Sequence, residues 1–388
     1  MQDIDTARLR GLDLLRAVAI VMVLLYHYAH FTAQAPIFGE IGESGWAGVD
    51  LFFVLSGYLI GNQLLAPVAR GEALSLKVFF ARRLLRTLPN YYVVLALYLL
   101  FPHAPIGGSS LPPLWQMLTF TQNVWLAYGQ TFTHSWSLCI EEQFYVVLPL
   151  AVLAFSRLQP SRRATCLAWC TLAGAIVLGM TTRALAYLHH GNDAFAADVY
   201  YSTFARADEL LPGVAVALLK NFHPSVFARL QRRANRLLAA GLALSLAVLA
   251  CIRLDWPNVG LSSTFGFSLL ALGFGLMTLA ALGPACVLNR VNVPGAATLA
   301  LWSYAIYLAH KPVFMALRPW CTRVGIDTHA PPAILAIMAA GVFAGWLLYR
   351  AVETPFMRLR ARLFPSSRVV LPARSAALSE SQTTVPLH

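Results

Sequence analysis

Charged residues are scarce in this chain of 388 residues. Asp, Glu, Lys and Arg together make up 12% of it, about half of the roughly 25% that is usual in soluble globular proteins. Hydrophobic residues make up 58%, in long apolar runs, and the mean hydropathy is +0.62. This composition excludes an ordinary soluble protein and predicts an all-α integral membrane protein.

The sequence also lacks the cysteine spacings of metal and disulfide sites. None of its six cysteines forms a Cys-x-x-Cys pair, and helix packing explains Cys166 and Cys170, which lie one helical turn apart. We therefore expect no disulfide framework, no bound metal and no other resident cofactor. No cleavable signal peptide is expected, because the first apolar run is long enough to span a membrane. No internal repeat is evident.

The apolar runs predict about ten transmembrane helices. Several runs are shorter than the roughly 20 residues that a span needs, so we expect these helices to extend into their flanks. The apolar segment 114–128 lies between proline-rich and polar stretches, and it is predicted to be re-entrant or interfacial. The predicted helices lie near 12–31, 49–65, 87–101, 137–155, 164–188, 203–219, 237–252, 261–281, 298–317 and 331–350.

Basic residues are distributed unequally over the predicted loops. Of the 29 Lys and Arg, 22 lie on the side of the two termini, three lie on the other side and four lie within helices. Because Lys and Arg accumulate in cytoplasmic loops, we predict a multi-pass protein of the inner (plasma) membrane with both termini cytoplasmic. The same bias explains the net charge of +12 without a nucleic-acid partner. Residues 1–363 are expected to form one transmembrane domain, and the tail 364–388 to be disordered.

Arg16 and His27 lie inside the first predicted helix. They are eleven positions apart, which is about three full turns, so they share one helix face and stand roughly 16 Å apart along the axis. A charged group at membrane depth is a functional hypothesis by default. The alternative is that Arg16 extends to the interface and that His27 is a buried structural histidine.

Three arginines precede or enter the third predicted helix. Arg82 and Arg86 share one helix face, and Arg83 lies beside them. Guanidinium groups arranged in this way suit phosphates. The same cluster also fits a membrane anchor that binds lipid headgroups.

Polar residues cluster at the start of the fourth predicted helix. They include His134, Trp136, the adjacent acids Glu141 and Glu142, and Tyr145, which lies one turn after Glu141. Two adjacent acids that enter a membrane span are hard to explain as structure alone, so this cluster is predicted to be functional.

Other polar positions are open to structural and functional interpretations. Asp50 begins the second predicted helix, where the helix dipole favours a carboxylate, and His310 lies in the ninth. Arg206 with Asp208 is compatible with a structural ion pair, and Glu353 with an interfacial cap.

Together these residues resemble the membrane acyltransferase-3 family, whose members include enzymes that O-acetylate bacterial surface polysaccharides. The resemblance covers about residues 8–360, and Arg16 and His27 match the family's arginine–ten residues–histidine signature. The segments that carry the resemblance are Arg16 with His27, and residues 49–58, 82–89, 136–145, 303–310 and 353–355.

The resemblance implies transfer of an acyl group, by family prevalence acetyl, from cytoplasmic acyl-CoA to a hydroxyl of a carbohydrate or glycoconjugate. His27 would act as general base, and Glu141 would orient its imidazole or contact the acceptor. An acyl-histidine intermediate remains an alternative. The residues expected to bind CoA are Arg16, Arg82, Arg83 and Arg86. The residues expected to bind the acceptor are Asp50, His134, Trp136, Glu142, Tyr145 and His310.

Two other classes of function remain open. Arg16 and His27 would also suit the permeation path of a transporter or flippase that moves a polysaccharide or lipid-linked precursor without acyl transfer. A structural subunit of a polymer-export system is the third possibility. Transport would favour inverted repeats with interrupted helices, and the sequence contains none that we recognise.

Overall fold

The computed structural model describes residues 10–102, 106–124, 126, 129–158, 162–191, 195–255 and 260–364. Helices dominate these residues and no β-strand occurs among them, so the all-α prediction is confirmed. The predicted disordered tail lies, beyond residue 364, outside the described residues. The α-helices are α1 (Arg10–Tyr28), α2 (Gly39–Glu43), α3 (Ala47–Ala69), α4 (Leu76–Leu100), α5 (Leu114–Thr119), α6 (Trp136–Ser156), α7 (Arg162–His190), α8 (Thr203–Arg206), α9 (Leu211–Phe222), α10 (Pro224–Gln231), α11 (Ala234–Asp255), α12 (Gly260–Ala281), α13 (Val287–Arg290), α14 (Ala296–Arg323), α15 (Pro331–Leu348) and α16 (Thr354–Leu363).

Within the described residues, seven helical stretches are long and apolar enough to cross a membrane. The number rises to eight if Thr203–Phe222 and Pro224–Gln231, which meet at 112°, count as one broken span. The chain is therefore a multi-pass membrane protein, but the predicted count of ten spans is not confirmed. The difference arises at α4 and α14, which have 25 and 28 residues but carry several basic side chains and prolines.

The described part of segment 114–128 contains one short helix. α5 has six residues, about 9 Å of helix, which is too short to cross a bilayer. Trp115 is exposed and Met117 is buried, and the Tyr91 hydroxyl donates a hydrogen bond to the Met117 carbonyl over 2.8 Å. The segment therefore packs on the side of α4 instead of forming a span.

Helix α4 begins earlier than the sequence suggested. The predicted third helix begins at residue 87, whereas α4 begins at Leu76. The Ser75 side chain accepts a hydrogen bond from the Val78 N–H and caps the helix. The arginine cluster consequently lies within the first half of α4, which holds it against the rest of the bundle.

Among the long helices, α1 packs mainly against α3 and α14. α3 packs closely on α9 at two glycines. A Cβ atom on Gly57 would lie 1.9 Å from the carbonyl oxygen of Leu210, and one on Gly213 would lie 2.0 Å from the carbonyl oxygen of Val54. The two backbones touch because neither position carries a side chain.

Replacing Gly57 by alanine is therefore expected to destabilise the protein, by about 1–3 kcal/mol or more, because the helices have to move apart. The matched control is Gly174→Ala on α7, where a Cβ has no other atom within 4 Å and alanine improves helix propensity. Thermal unfolding in detergent or nanodiscs measures the effect. A melting temperature of Gly57→Ala equal to that of Gly174→Ala would contradict this packing.

Candidate active site

Two cavities lie at opposite ends of the helix face that Arg16 and His27 share. The arginine cavity, defined as the one that contains Arg16, has a volume of about 490 Å³. The histidine cavity, which contains His27, has a volume of about 270 Å³. Arg16 and His27 are eleven positions apart on α1, a distance of roughly 16 Å along the helix axis.

Five guanidinium groups line the arginine cavity. Arg16 comes from α1, Arg82, Arg83 and Arg86 come from α4, and Arg360 comes from α16. The structure thus brings together the four arginines that the sequence grouped. It adds Arg360, which no sequence motif distinguished from the other basic residues near the end of the chain and which the packing of α16 on α4 positions.

Arg83 is held differently from its neighbours. Its guanidinium lies 3.6 Å from Glu141 and 3.4 Å from Glu142, and it stacks 3.8 Å from the centre of the Tyr145 ring. The two carboxylates offset its charge, so Arg83 holds the side chains of the cavity wall together. The other arginines leave the cavity strongly cationic.

Glu141 lies in the arginine cavity and does not support His27. Its Oε1 accepts a hydrogen bond from the Ser56 hydroxyl and its Oε2 accepts one from Tyr145, both over 2.9 Å. The contact between Glu141 and His27 that the sequence suggested is therefore not formed. Glu141 lies seven positions after His134, which is about 10 Å along the helix axis. This distance separates Glu141 in the arginine cavity from the histidine cavity.

His310 is the hydrogen-bond partner of His27. His27 Nδ1 lies 2.6 Å from His310 Nε2, and the two rings are nearly parallel, with an interplanar angle of 9°. His310 Nδ1 lies 2.8 Å from the carbonyl oxygen of Ile306. A carbonyl only accepts, so His310 carries its proton on Nδ1 and its neutral ring accepts at Nε2. His27 then donates from Nδ1, and its Nε2, which has no hydrogen-bond partner among the described residues, is left as a proton acceptor.

Other polar groups surround this histidine pair. His134 donates from Nε2 to the Leu308 carbonyl over 3.2 Å, and its buried Nδ1 has no hydrogen-bond partner among the described residues. Lys311 also lines the cavity, with its ammonium 4.1 Å from the centre of the Phe31 ring. Trp136, which the sequence predicted to bind the acceptor, lines the same cavity. Lys311 was not among the predicted site residues.

A thin wall separates the two cavities. Ser137 and Tyr307 line the arginine cavity, and His134 and Trp136 line the histidine cavity. The Tyr307 hydroxyl donates to the His134 carbonyl over 2.6 Å and accepts from the Ser137 hydroxyl over 2.7 Å. Two hydrogen bonds at one tyrosine therefore connect residues that line the two cavities.

Asp50 is part of a buried ion cluster and lines neither cavity. It lies 3.0 Å from Arg206, which also pairs with Glu209. Asp208 pairs with Arg183 at 2.8 Å, so the Arg206–Asp208 pair that the sequence allowed is not formed. Charges buried to this degree persist because each is paired, and we assign Asp50 a structural role in place of the predicted acceptor contact.

Glu353 is likewise buried, and its Oε2 accepts a hydrogen bond from Asn90 over 2.9 Å. The interfacial cap that the sequence allowed is therefore not what the structure shows. Glu353 ends one of the three π-helical segments found among the described residues. The other two, Ala29–Ala33 and Phe195–Tyr200, contribute His30 and Tyr200 to the histidine cavity. The wider turn of a π-helix redirects side chains and is frequent at functional sites.

Comparisons with known proteins agree with the resemblance seen in the sequence. The family model described as an acyltransferase domain matches residues 9–350. The peptidoglycan O-acetyltransferase OatA of Listeria monocytogenes is 29% identical over 90% of this chain and 56% of its own length. The O-acetyltransferase OatA of Staphylococcus aureus is 25% identical over 92% of this chain and 58% of its own length. The chain thus spans little more than half the length of these relatives, and no solved structure matches it.

Proposed function

This chain belongs to the acyltransferase-3 family of acyltransferase domains, and from that premise we propose that it is a membrane O-acetyltransferase that acts on a glycan. The donor is acetyl-CoA, the acceptor is a hydroxyl of a carbohydrate or glycoconjugate, and His27 is the general base. The observation that supports this proposal best is the Nε2 of His27, which has no partner in the part of the chain that the structure describes and lies in one cavity, opposite a cationic cavity on the same helix face.

The arginine cavity suits the donor. Acetyl-CoA carries several phosphates, and the guanidinium groups of Arg16, Arg86 and Arg360 match phosphate oxygens in charge and in their forked geometry. Its volume of about 490 Å³ lies within the roughly 300–1,000 Å³ of small-molecule sites. The pantetheine arm would extend from the phosphates toward Ser137 and Tyr307, at the wall.

The acetyl group has to cross this wall to reach His27. A rotation of the Tyr307 side chain would break its hydrogen bonds to Ser137 and to the His134 carbonyl and would join the two cavities. We propose that the thioester enters through this opening and that the acceptor occupies the histidine cavity. If the basic loops are cytoplasmic, the donor enters from the cytoplasm and the acceptor from the opposite side of the inner membrane.

The histidine pair would then carry out the proton transfers. The acceptor hydroxyl gives its proton to His27 Nε2 while its oxygen attacks the thioester carbonyl carbon, and the carbon–sulfur bond breaks. The departing CoA thiolate takes the proton from the imidazolium, which restores neutral His27. His310 accepts the hydrogen bond from His27 Nδ1 throughout and keeps the ring oriented, and the Lys311 ammonium can stabilise negative charge that develops on the thioester oxygen.

Incubation of the purified protein in nanodiscs with labelled acetyl-CoA and a panel of oligosaccharides tests this function. We expect a labelled, alkali-labile acetyl ester on the glycan, identified by mass spectrometry. In parallel, vesicles report whether the same oligosaccharides cross the membrane. Passage of unmodified glycan without any acetylated product would reject the proposal in favour of a transporter.

Replacing Arg86 by lysine is expected to raise the KM for acetyl-CoA about tenfold, because lysine keeps the charge but loses the two-pronged hydrogen bonding to a phosphate. The KM for the acceptor should not change, since Arg86 lies in the other cavity. Arg229→Lys is the matched control, because Arg229 is exposed on α10 and lines neither cavity. Equal KM values for the two variants would instead favour a lipid anchor.

A further inference from the structure

A third cavity adjoins the histidine cavity. It has a volume of about 280 Å³, and Tyr26, His30 and Tyr200 line both cavities. Tyr26 and His30 flank His27 on the same helix end, so the third cavity begins within about one helical turn of the candidate base. We name it the aromatic cavity, after the rings that line it.

Aromatic rings form much of its apolar surface, together with the aliphatic side chains of Leu249 and Ile252. Tyr26 and Tyr200 are joined there by Trp46, Phe195 and Phe267. Trp46 contacts Phe267 edge to face, with ring centres 5.8 Å apart, and Phe195 stacks on Phe267 with its ring centre at 6.5 Å. Trp46 is only partly buried, so one part of its ring packs on the core and the rest faces the cavity.

Polar groups are spaced between these rings. Glu43, a partly exposed residue at the end of α2, has no hydrogen-bond or ion-pair partner within the described part of the chain. His30 donates from Nδ1 to the Tyr26 carbonyl over 2.9 Å, which leaves Nε2 as an acceptor. Arg253 lies at the rim, where Glu40 already pairs with it at 3.2 Å.

The combination of aromatic rings with hydrogen-bond acceptors between them fits a saccharide better than a phosphate or a lipid chain. The C–H faces of a sugar pack against aromatic rings, and its hydroxyls donate to acceptors such as the Glu43 carboxylate and the His30 Nε2. A phosphate would meet an unpaired carboxylate and only one cation, which is already paired. A lipid chain would leave the same carboxylate without a partner in an apolar contact.

We propose that the aromatic cavity binds the acceptor glycan, and that it holds a sugar unit adjacent to the one whose hydroxyl faces His27. This inference rests on the proposed function and adds a second acceptor subsite to it. The acceptor would then be an oligosaccharide or a longer glycan, because a single sugar unit cannot fill the histidine and aromatic cavities together.

The test measures binding and kinetics separately. The full chain in nanodiscs, without acetyl-CoA, is titrated with tetrasaccharides and monosaccharides of hexoses, deoxyhexoses and N-acetylhexosamines. The variants are Trp46→Ala, Trp46→Phe and Glu43→Gln, and the control is Trp320→Ala, which changes an exposed tryptophan on α14 outside the three cavities.

We expect wild type to bind at least one tetrasaccharide more tightly than its monosaccharide. Trp46→Ala should weaken tetrasaccharide binding about tenfold or more and raise the KM for the glycan, while the KM for acetyl-CoA stays within twofold. Trp46→Phe should recover part of the loss because it restores a ring, Glu43→Gln should weaken binding less, and Trp320→Ala should match wild type.

Two results would overturn the inference: wild type that binds no tetrasaccharide of the panel, or Trp46→Ala that binds the glycan as tightly as Trp320→Ala does. Failure of the proposed function looks different. In that case the glycan still binds in a Trp46-dependent manner, but no acetylated product forms when acetyl-CoA is added.

Discussion

Replacing His27 by alanine is expected to lower the rate of acetyl transfer about 10²- to 10⁴-fold, the usual effect of removing a positioned proton acceptor. His27 is partly exposed in its cavity, so the change should leave folding and membrane insertion intact. The KM for acetyl-CoA should change little, because the proposed donor site is the arginine cavity and His27 lies in the other one. Initial rates with labelled acetyl-CoA measure the loss.

Replacing His27 by glutamine separates basicity from hydrogen bonding. The glutamine amide can still donate to His310 Nε2, but it cannot accept a proton from the acceptor hydroxyl. We therefore expect His27→Gln to fail about as severely as His27→Ala. A glutamine variant that retained most of the wild-type rate would show that His27 only fills space or donates a hydrogen bond.

Replacing His310 by alanine is expected to have the second-largest effect, about a 10- to 100-fold loss in kcat. His310 fixes the tautomer of His27 by accepting from its Nδ1, and removal of such an orienting partner impairs the base without removing it. The loss should appear in kcat and not in the KM for acetyl-CoA. His310→Gln should recover part of the rate, since its side-chain carbonyl can accept from His27.

The control for this series is His329→Ala, because His329 is half exposed and pairs only with Asp327 within the described residues. It should match wild type. Transfer that survives in His27→Ala and His27→Gln but is abolished in His310→Ala would move the role of the base to His310 and leave His27 as a core residue.

Much of the architecture was accessible from the sequence, because helical periodicity fixes which side chains share a face. Arg16 and His27 were predicted to share a face of the first helix, and both face internal cavities. Arg82 and Arg86 were grouped on the same basis, and they line one cavity with Arg16. These conclusions depend only on the geometry of a single helix, which can be inferred from the spacing of residues in the sequence.

Contacts between segments that are distant in the chain could not be predicted from the sequence. Arg206 pairs with Asp50 from 156 positions away, and His310 reaches His27 across 283 positions. No periodicity encodes such pairs. The sequence therefore suggested Glu141 as the support of His27 and Asp50 as an acceptor contact, and it left Arg360 unassigned.

Charged residues also lowered the number of helices that are apolar enough to qualify as membrane spans. α4 and α14 have the length of spans, but their basic residues and prolines reduce the hydropathy on which the prediction of membrane helices depends. Some of these charged residues line the cavities, namely Arg82, Arg83 and Arg86 of α4 and Lys311 of α14. The sequence predicted spans at 87–101 and 298–317, whereas α4 and α14 over their full lengths are not among the helices apolar enough to cross a membrane.

The most direct test of the central claim uses inverted membrane vesicles, in which the cytoplasmic face is outside. Labelled acetyl-CoA is added outside, oligosaccharide is enclosed inside, and wild type is compared with His27→Gln at equal protein levels. Our account predicts labelled O-acetyl esters on the enclosed glycan with wild type and about 10²-fold less or none with His27→Gln. Unlabelled glycan in wild-type vesicles, or equal labelling with the two proteins, would contradict it.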